Sequence, residues 1–430
     1  MSGNKRSSTP DTYGRIRDML QGEIPDRLPF VDRLELWYSY HSRAGTLPKR
    51  FDNQSTDASS SLMSVFSVPI PRNTPGLSIT DIHREIGFGQ QIQMICHSRL
   101  FRGVELVLKL NGKVFYHEKD PLVEYFPRLF DKLLRDIPGE TTAEFITPLG
   151  TLTTKSVLTP EVIEQGGVPL MIEHPFKDVS DFPAFEYIFE HAEFVPQFDK
   201  VRETQEKLGD IGFVIPMLNR IPFQQLVLDH VGEIDFFYMV YDHPELVDKL
   251  MAMLEAVVLN DLEQVKQFEW PYIQFDDNLD GLITNPRLFK KHCLLGYQRY
   301  SEILHGQGKK VGSHTDGNLK PLLALLADCG LDVAESFSPA PLTECTFDDA
   351  WQAWQEAGPM IWGGIPSPLL EARTSEEVFR NYIDQLFETI GNGRIILGIG
   401  DMVMPNNSID RIQYIADRVE THRVSAPNLL

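Results

Sequence analysis

The feature that most constrains this chain is an alternation, from about residue 168 onward, of short apolar runs with longer amphipathic stretches, which is the sequence form of βα units around a parallel sheet. The runs are Val168–Glu173, Gly212–Pro216, Tyr272–Phe275, Lys310–Ser313, Leu331–Ala334, Met360–Gly363 and Ile395–Leu397, and Leu28–Leu36 supplies an eighth. Each gives way to a polar loop containing Gly or Pro. Between them the spacing is helical: Pro244 to Val258 opens with Pro and acid and continues with apolar residues three and four apart, and Ser375 is placed to cap the helix that follows it. A doubly wound sheet would share this periodicity. The count of eight favours a TIM-type (β/α)8 barrel, a single domain over residues 26–425 with an N-terminal arm at 1–25, and 430 residues fit such a barrel with insertions.

Residues 1–12 read as a disordered arm and 52–62 as a polar, Ser-rich loop. Val104 to Leu110, then Asn111-Gly112, then Lys113 to Tyr116 is a hairpin signal. With 40 Lys and Arg against 61 Asp and Glu, the net charge of −21 repels phosphate backbones and anionic lipid, so neither nucleic acid nor a membrane is an expected partner. Cys96, Cys293, Cys329 and Cys345 stand apart with no CxxC pair, which argues against a disulfide framework. No run reaches the length of a membrane span and Met1 to Asp11 lacks the apolar core of a secretory signal, so the expected location is the cytoplasm.

Chemistry is expected where strands end. Asp276-Asp277, His314-Thr315-Asp316, Glu335 and Gly400-Asp401 each put an acid or imidazole at such a point. His314 and Asp316 are two apart, so a continuing pleat would project both to one side, and with Asp401 and Glu335 they could complete a nitrogen and oxygen metal site. An Asp before Gly is also a common turn residue, and an acid at a strand end commonly caps the next helix. Asp276 and Asp277 are candidate catalytic carboxylates, of which only one should face the barrel mouth. Arg43, Arg220 and Tyr272 are candidate substrate contacts. No dinucleotide fingerprint, Walker loop, HExxH or GxSxG occurs.

The order of these strand ends resembles the uroporphyrinogen decarboxylase superfamily, which includes the decarboxylase and zinc- and corrinoid-linked methyltransferases. The resemblance rests on Asp276-Asp277, Leu282-Ile-Thr-Asn-Pro286, Tyr297 to His305, Val311-Gly-Ser-His-Thr-Asp-Gly317, Gly330-Leu-Asp-Val-Ala-Glu335 and Gly398-Ile-Gly-Asp401 with Pro405, and extends more weakly upstream. The decarboxylase carries a segment of the form Arg-Gln-Ala-Gly-Arg; the similar stretch here, Ser42-Arg43-Ala44-Gly45-Thr46, lacks both flanking arginines. The methyltransferases hold zinc on His-x-Cys and a later Cys, and this chain has His314-x-Asp316 and Asp401 at the similar places. Carboxylates in place of thiolates leave zinc a harder Lewis acid suited to an oxygen substrate. The resemblance therefore implies a corrinoid-dependent methyltransferase acting on a methoxylated or similar small substrate, with zinc as metal and methyl-corrinoid on a partner protein. The alternatives are a decarboxylase of the uroporphyrinogen type and a non-catalytic small-molecule-binding barrel.

Overall fold

The computed structural model describes residues 11–51, 62–64, 76–128, 137–391 and 393–422. Residues 1–10 of the expected arm and 52–61 of the expected loop lie outside them. Eight parallel strands form one sheet, here β1 (Val31–Asp32), β2 (Gly89–Ile95), β3 (Gly212–Leu218), β4 (Tyr272–Phe275), β5 (Lys310–His314), β6 (Val333–Phe337), β7 (Met360–Pro366) and β8 (Ile395–Gly400), paired in that order. The sheet closes on itself through the parallel bridge of Phe30 with Leu397, whose amide donates to the Pro29 carbonyl at 2.9 Å. Asp32 fastens the seam: its carboxylate accepts from the Ile399 amide at 2.5 Å. This is the expected (β/α)8 barrel.

One member of the expected set is different. Of Val168–Glu173, Leu170–Glu173 forms a strand, but it pairs antiparallel with Gly150–Leu158 at the edge of a five-stranded sheet outside the barrel. The second barrel strand is instead Gly89–Ile95, whose sequence, Gly-Gln-Gln-Ile-Gln-Met-Ile, carries glutamines that obscure an apolar run. All seven of its residues are buried. Periodicity identifies an extended segment but cannot name the strand it pairs with.

The antiparallel sheet belongs to a long insertion between β2 and β3. It contains the expected hairpin: Glu105–Leu110 pairs with Lys113–Lys119, and Asn111 (φ 49) and Gly112 (φ 79) both take the left-handed backbone of a tight turn. The insertion is bound to the barrel by aromatic packing. Phe126, Phe185 and Phe189 surround His230, with ring centroids 5.6, 5.1 and 5.5 Å from the imidazole. Burial pushes this histidine down to about 3, so the ring is neutral and packs as an aromatic.

Helices cover the outside. Thr12–Gln21 buries Ile16, Met19 and Leu20, Pro244–Gln264 buries Leu250, Leu254 and Leu262, and Ser375 caps Glu376–Ile390 by accepting from the Val378 amide. The barrel interior is layered. On its floor, toward the strand starts, Tyr272 and Phe213 pack around Trp362 at 6.4 and 6.3 Å between ring centroids. Gly312 leaves room for this floor, since a Cβ there would sit 1.9 Å from the Tyr272 hydroxyl oxygen. Above the aromatic floor the strand alternation brings in a polar layer.

Candidate active site

The polar layer is organised around Glu335 on β6. It is fully buried, and its two oxygens accept from Gln91 (2.6 Å) and Gln93 (3.3 Å) on β2 and from Gln274 (3.0 Å) on β4. Gln274 is itself fixed by the Tyr272 hydroxyl, which donates to its Oε1 at 2.8 Å. The remaining partner is His314 at the end of β5, whose Nδ1 lies 2.6 Å from Glu335 Oε2. A carboxylate acceptor on Nδ1 fixes that nitrogen as the donor and leaves Nε2 for what lies above.

Nε2 faces Asp316, 3.6 Å from its Oδ2. One ligand atom each from His314, Asp316 and Asp401 falls within 4.8 Å of the other two. The two aspartates are held from behind. Asn278 donates to both Asp316 oxygens at 3.2 and 3.1 Å. Arg33, buried beside β1, donates to Gln93 Oε1 at 3.0 Å and reaches the backbone oxygen and Oδ1 of Asp401 at 3.0 and 3.2 Å. Asp401 has φ 63, and Ser336 beside it has φ 64 and donates from Oγ to the Asp401 carbonyl at 3.3 Å. Two non-glycine residues in the left-handed region, one in β6 and one just after β8, are costly, and such strain concentrates at functional sites.

The titration behaviour follows from burial and pairing. Burial opposes charge on His314, but Glu335 and Asp316 hold its pKa well above the ordinary value. Burial likewise acts to raise Asp316 and Glu335, and the charge of His314 overrides it, so both carboxylates lie below their ordinary range. At Asp401 burial wins over Arg33 and the pKa is raised. The set is one nitrogen and two oxygens with the ring already oriented, which suits a borderline to hard divalent ion.

Asp276 follows β4. Its Oδ2 is buried and makes no hydrogen bond among the described residues, with Arg220 Nη2 3.7 Å away. Burial raises its pKa, against Arg220 and His314. Asp277 points the other way, as strand alternation requires. It accepts from the Ile221 amide (2.9 Å), the Tyr297 hydroxyl (2.6 Å) and the Ser313 hydroxyl (3.0 Å) and is pushed up to about 6 by burial. Arg220 is buried as well: it donates to the Asp276 carbonyl and, at 2.8 Å, to Asn278 Oδ1.

Of the residues singled out by sequence, Asp276, His314, Asp316, Glu335, Asp401 and Arg220 come together in this network. Glu335 sits beneath His314 as its hydrogen-bond acceptor, outside the group of three converging ligand atoms. Tyr272 is in the barrel floor below Gln274, with no exposed surface. Arg43 lies in the last turn of the helix Glu35–Ala44 that follows β1. Gln91, Gln93, Gln274, Asn278 and Arg33 were not singled out as site residues by the sequence. The available signal was glutamine at alternate positions 91 and 93, pointing to one side of the strand, which marks a polar inner face.

Among the described residues no helix is long and apolar enough to cross a membrane. No curated protein sequence matches the chain. Among solved structures, a methyltransferase from Methanosarcina mazei is similar with 13% identity and a TM-score of 0.43 over 58% of this chain and 72% of that one. Octameric ribulose-1,5-bisphosphate carboxylase/oxygenase from Pyrococcus horikoshii OT3 is similar with 11% identity and a TM-score of 0.28, over 55% of this chain and 48% of that one. Likenesses this distant carry no functional weight. The family model described as uroporphyrinogen decarboxylase (URO-D) matches residues 229–422, a stretch that holds β4 to β8 with Asp276, His314, Asp316, Glu335 and Asp401, and supports an enzymatic role. Over residues 229–422 the chain is therefore similar to the uroporphyrinogen decarboxylase family.

Proposed function

We propose that the protein is a corrinoid-dependent methyltransferase that demethylates a methoxylated or similar small substrate and passes the methyl group to a separate corrinoid protein. The observation that carries this reading is the convergence of His314, Asp316 and Asp401 within 4.8 Å at one barrel mouth, over a glutamate that orients the imidazole. These three residues would hold a zinc ion, which supplies a Lewis acid for the substrate oxygen. The chain's own residues would do the rest. Glu335 keeps Nε2 of His314 directed at the site, and Arg33 and Asn278 keep the carboxylates of Asp401 and Asp316 from turning away. Asp276, with its raised pKa and unbonded Oδ2, is suited to deliver a proton to the oxygen that loses its methyl group. Asp277 already accepts three hydrogen bonds and acts as a positioning group for the loop.

The same contacts weigh against porphyrinogen decarboxylation. Recognition of several substrate carboxylates needs free guanidinium groups, and the two buried arginines of this network are committed, Arg33 to Asp401 and Arg220 to Asp229 and Asp276.

The test is metal analysis of the purified protein together with methyl transfer to free cob(I)alamin across a panel of methoxy compounds. Wild type is expected to carry about one zinc per chain and to be active on at least one compound. His314→Ala should lose both metal and activity while keeping its far-UV circular dichroism. Absence of divalent metal from the wild type, or full activity in His314→Ala, overturns the zinc mechanism.

A further inference from the structure

A cavity of about 590 Å³ lies outside the His314 cluster. One wall is the antiparallel sheet of the insertion, with Thr141, Thr154, Ser156 and Leu170; the other is the segment that follows β3, with Val227 and Ile234. The volume is that of a small-molecule site, and such sites combine apolar walls with a few convergent polar groups. Leu170 and Ile234 are 69% and 73% exposed, so two large apolar side chains at this cavity are offered to water. Grouped apolar exposure of this kind marks binding surfaces.

Two basic side chains that line the cavity are fastened to one aspartate. Arg128 places Nε 2.9 Å from Asp229 Oδ1 and donates from Nη2 to the Leu228 carbonyl at 3.4 Å. Its Nη1 has no protein partner among the described residues. His174 places Nδ1 3.2 Å from the Asp229 carbonyl oxygen, which leaves its Nε2 available. Gly232 keeps that ring edge open, because a Cβ there would stand 2.9 Å from Nε2. Asp229 engages Arg128 through Oδ1 only, its other oxygen lying 3.3 Å from Arg220 Nε. What this part of the cavity offers an anion is the Nη1 donor of Arg128 and the Nε2 edge of His174, with Arg220 balanced separately by Asp276. Glu233 and Asp235, both exposed, also border the cavity and would repel a second anionic group.

We propose that this cavity binds a small amphipathic monoanion, with its apolar body against Leu170, Val227 and Ile234 and its one oxyanion on Arg128. The site is separate from the metal-ligating cluster and does not depend on the methyl-transfer reading. The probe is 1-anilinonaphthalene-8-sulfonate, which has this chemistry, titrated into the full chain and followed by its fluorescence, with neutral N-phenyl-1-naphthylamine as the uncharged control. Wild type is expected to bind both saturably at one site. Ser156→Trp, which fills the cavity from a strand, should weaken both probes at least about tenfold, a change of about 1.4 kcal/mol. Arg128→Met, which keeps the aliphatic stem, should weaken only the sulfonate by a similar factor. Each variant is compared at matched circular dichroism and melting temperature, and Thr141→Phe replaces Ser156→Trp if the latter does not fold. No saturable binding by wild type, or unchanged affinity in the cavity-filling variant, overturns the site. Equal weakening of both probes in Arg128→Met overturns the recognition of the anion.

Discussion

Glu335 offers the most demanding test of the layered interior. Replacing it with leucine puts an apolar side chain of comparable size in its place and removes both acceptor oxygens. Four donors then lose their partner at once: Gln91 at 2.6 Å, Gln93 at 3.3 Å, Gln274 at 3.0 Å and His314 Nδ1 at 2.6 Å. A buried donor left unsatisfied costs about 1–3 kcal/mol, so Glu335→Leu should cost roughly 4–10 kcal/mol even with some re-pairing. That is comparable to the whole stability of an ordinary domain, about 5–15 kcal/mol. Glu335→Gln should behave differently. It keeps one carbonyl oxygen, and its new amide gains an acceptor if the Gln91 amide turns over, because Gln91 Oε1 is buried without a hydrogen bond. The expected loss is about 1–3 kcal/mol. Urea unfolding followed by tryptophan fluorescence and far-UV circular dichroism, with EDTA present so that bound metal contributes nothing, measures both. A leucine variant within about 1 kcal/mol of wild type would refute the claim that Glu335 is the hub of the layer, and so would a glutamine variant no more stable than the leucine one.

Arg33→Met should destabilise by about 2–3 kcal/mol, below the usual cost of breaking a buried pair because Asp401 is partly exposed, and adding Asp401→Asn should recover part of the loss in the same urea assay. Asp277 titrates near 6 in the folded chain against an ordinary 3.8, so the folded state binds the extra proton and stability falls as pH rises through that window. Wild type should therefore lose up to about 3 kcal/mol relative to Asp277→Asn between pH 4 and pH 7, and parallel profiles for the two would contradict the burial argument. Gly398→Ala places a methyl group 2.8 Å from Asp32 Oδ2 and 3.1 Å from the Val31 carbonyl, and should lower stability by about 1–3 kcal/mol in a thermal melt; an unchanged melt would mean the seam is looser than described.

Much of the barrel was legible because parallel strands buried on both faces leave continuous apolar runs, as at Ile395–Leu397 and Met360–Gly363. Gly89–Ile95 escaped notice for the opposite reason: its inward face carries Gln91 and Gln93, whose partner Glu335 lies far away in sequence. Val168–Glu173 has the local signal of a strand, but pairing depends on the fold around it. The same division holds at the site. Strand ends exposed His314, Asp316 and Asp401 to a reader of the sequence, whereas the partners that hold them, Arg33, Asn278 and the glutamines, come from strands and loops whose only shared property is spatial. The pairing of His314 with Glu335 rests on registering β5 against β6, where the two residues stand opposite each other.

Because Pro29 and Phe30 pair with Leu397, the first barrel strand leaves the ribosome long before its partner exists. Until β8 is made, the nascent sheet has two open edges, one at β1 and one at β7, with the Asp32 carboxylate still waiting for the Ile399 amide. Unpaired edges of apolar strands are where growing chains stick to one another, so this barrel passes through its most aggregation-prone form late in synthesis. A ribosome stalled between β7 and β8 should release an insoluble chain, whereas one stalled after the helix Ile409–Thr421 should release a chain able to close.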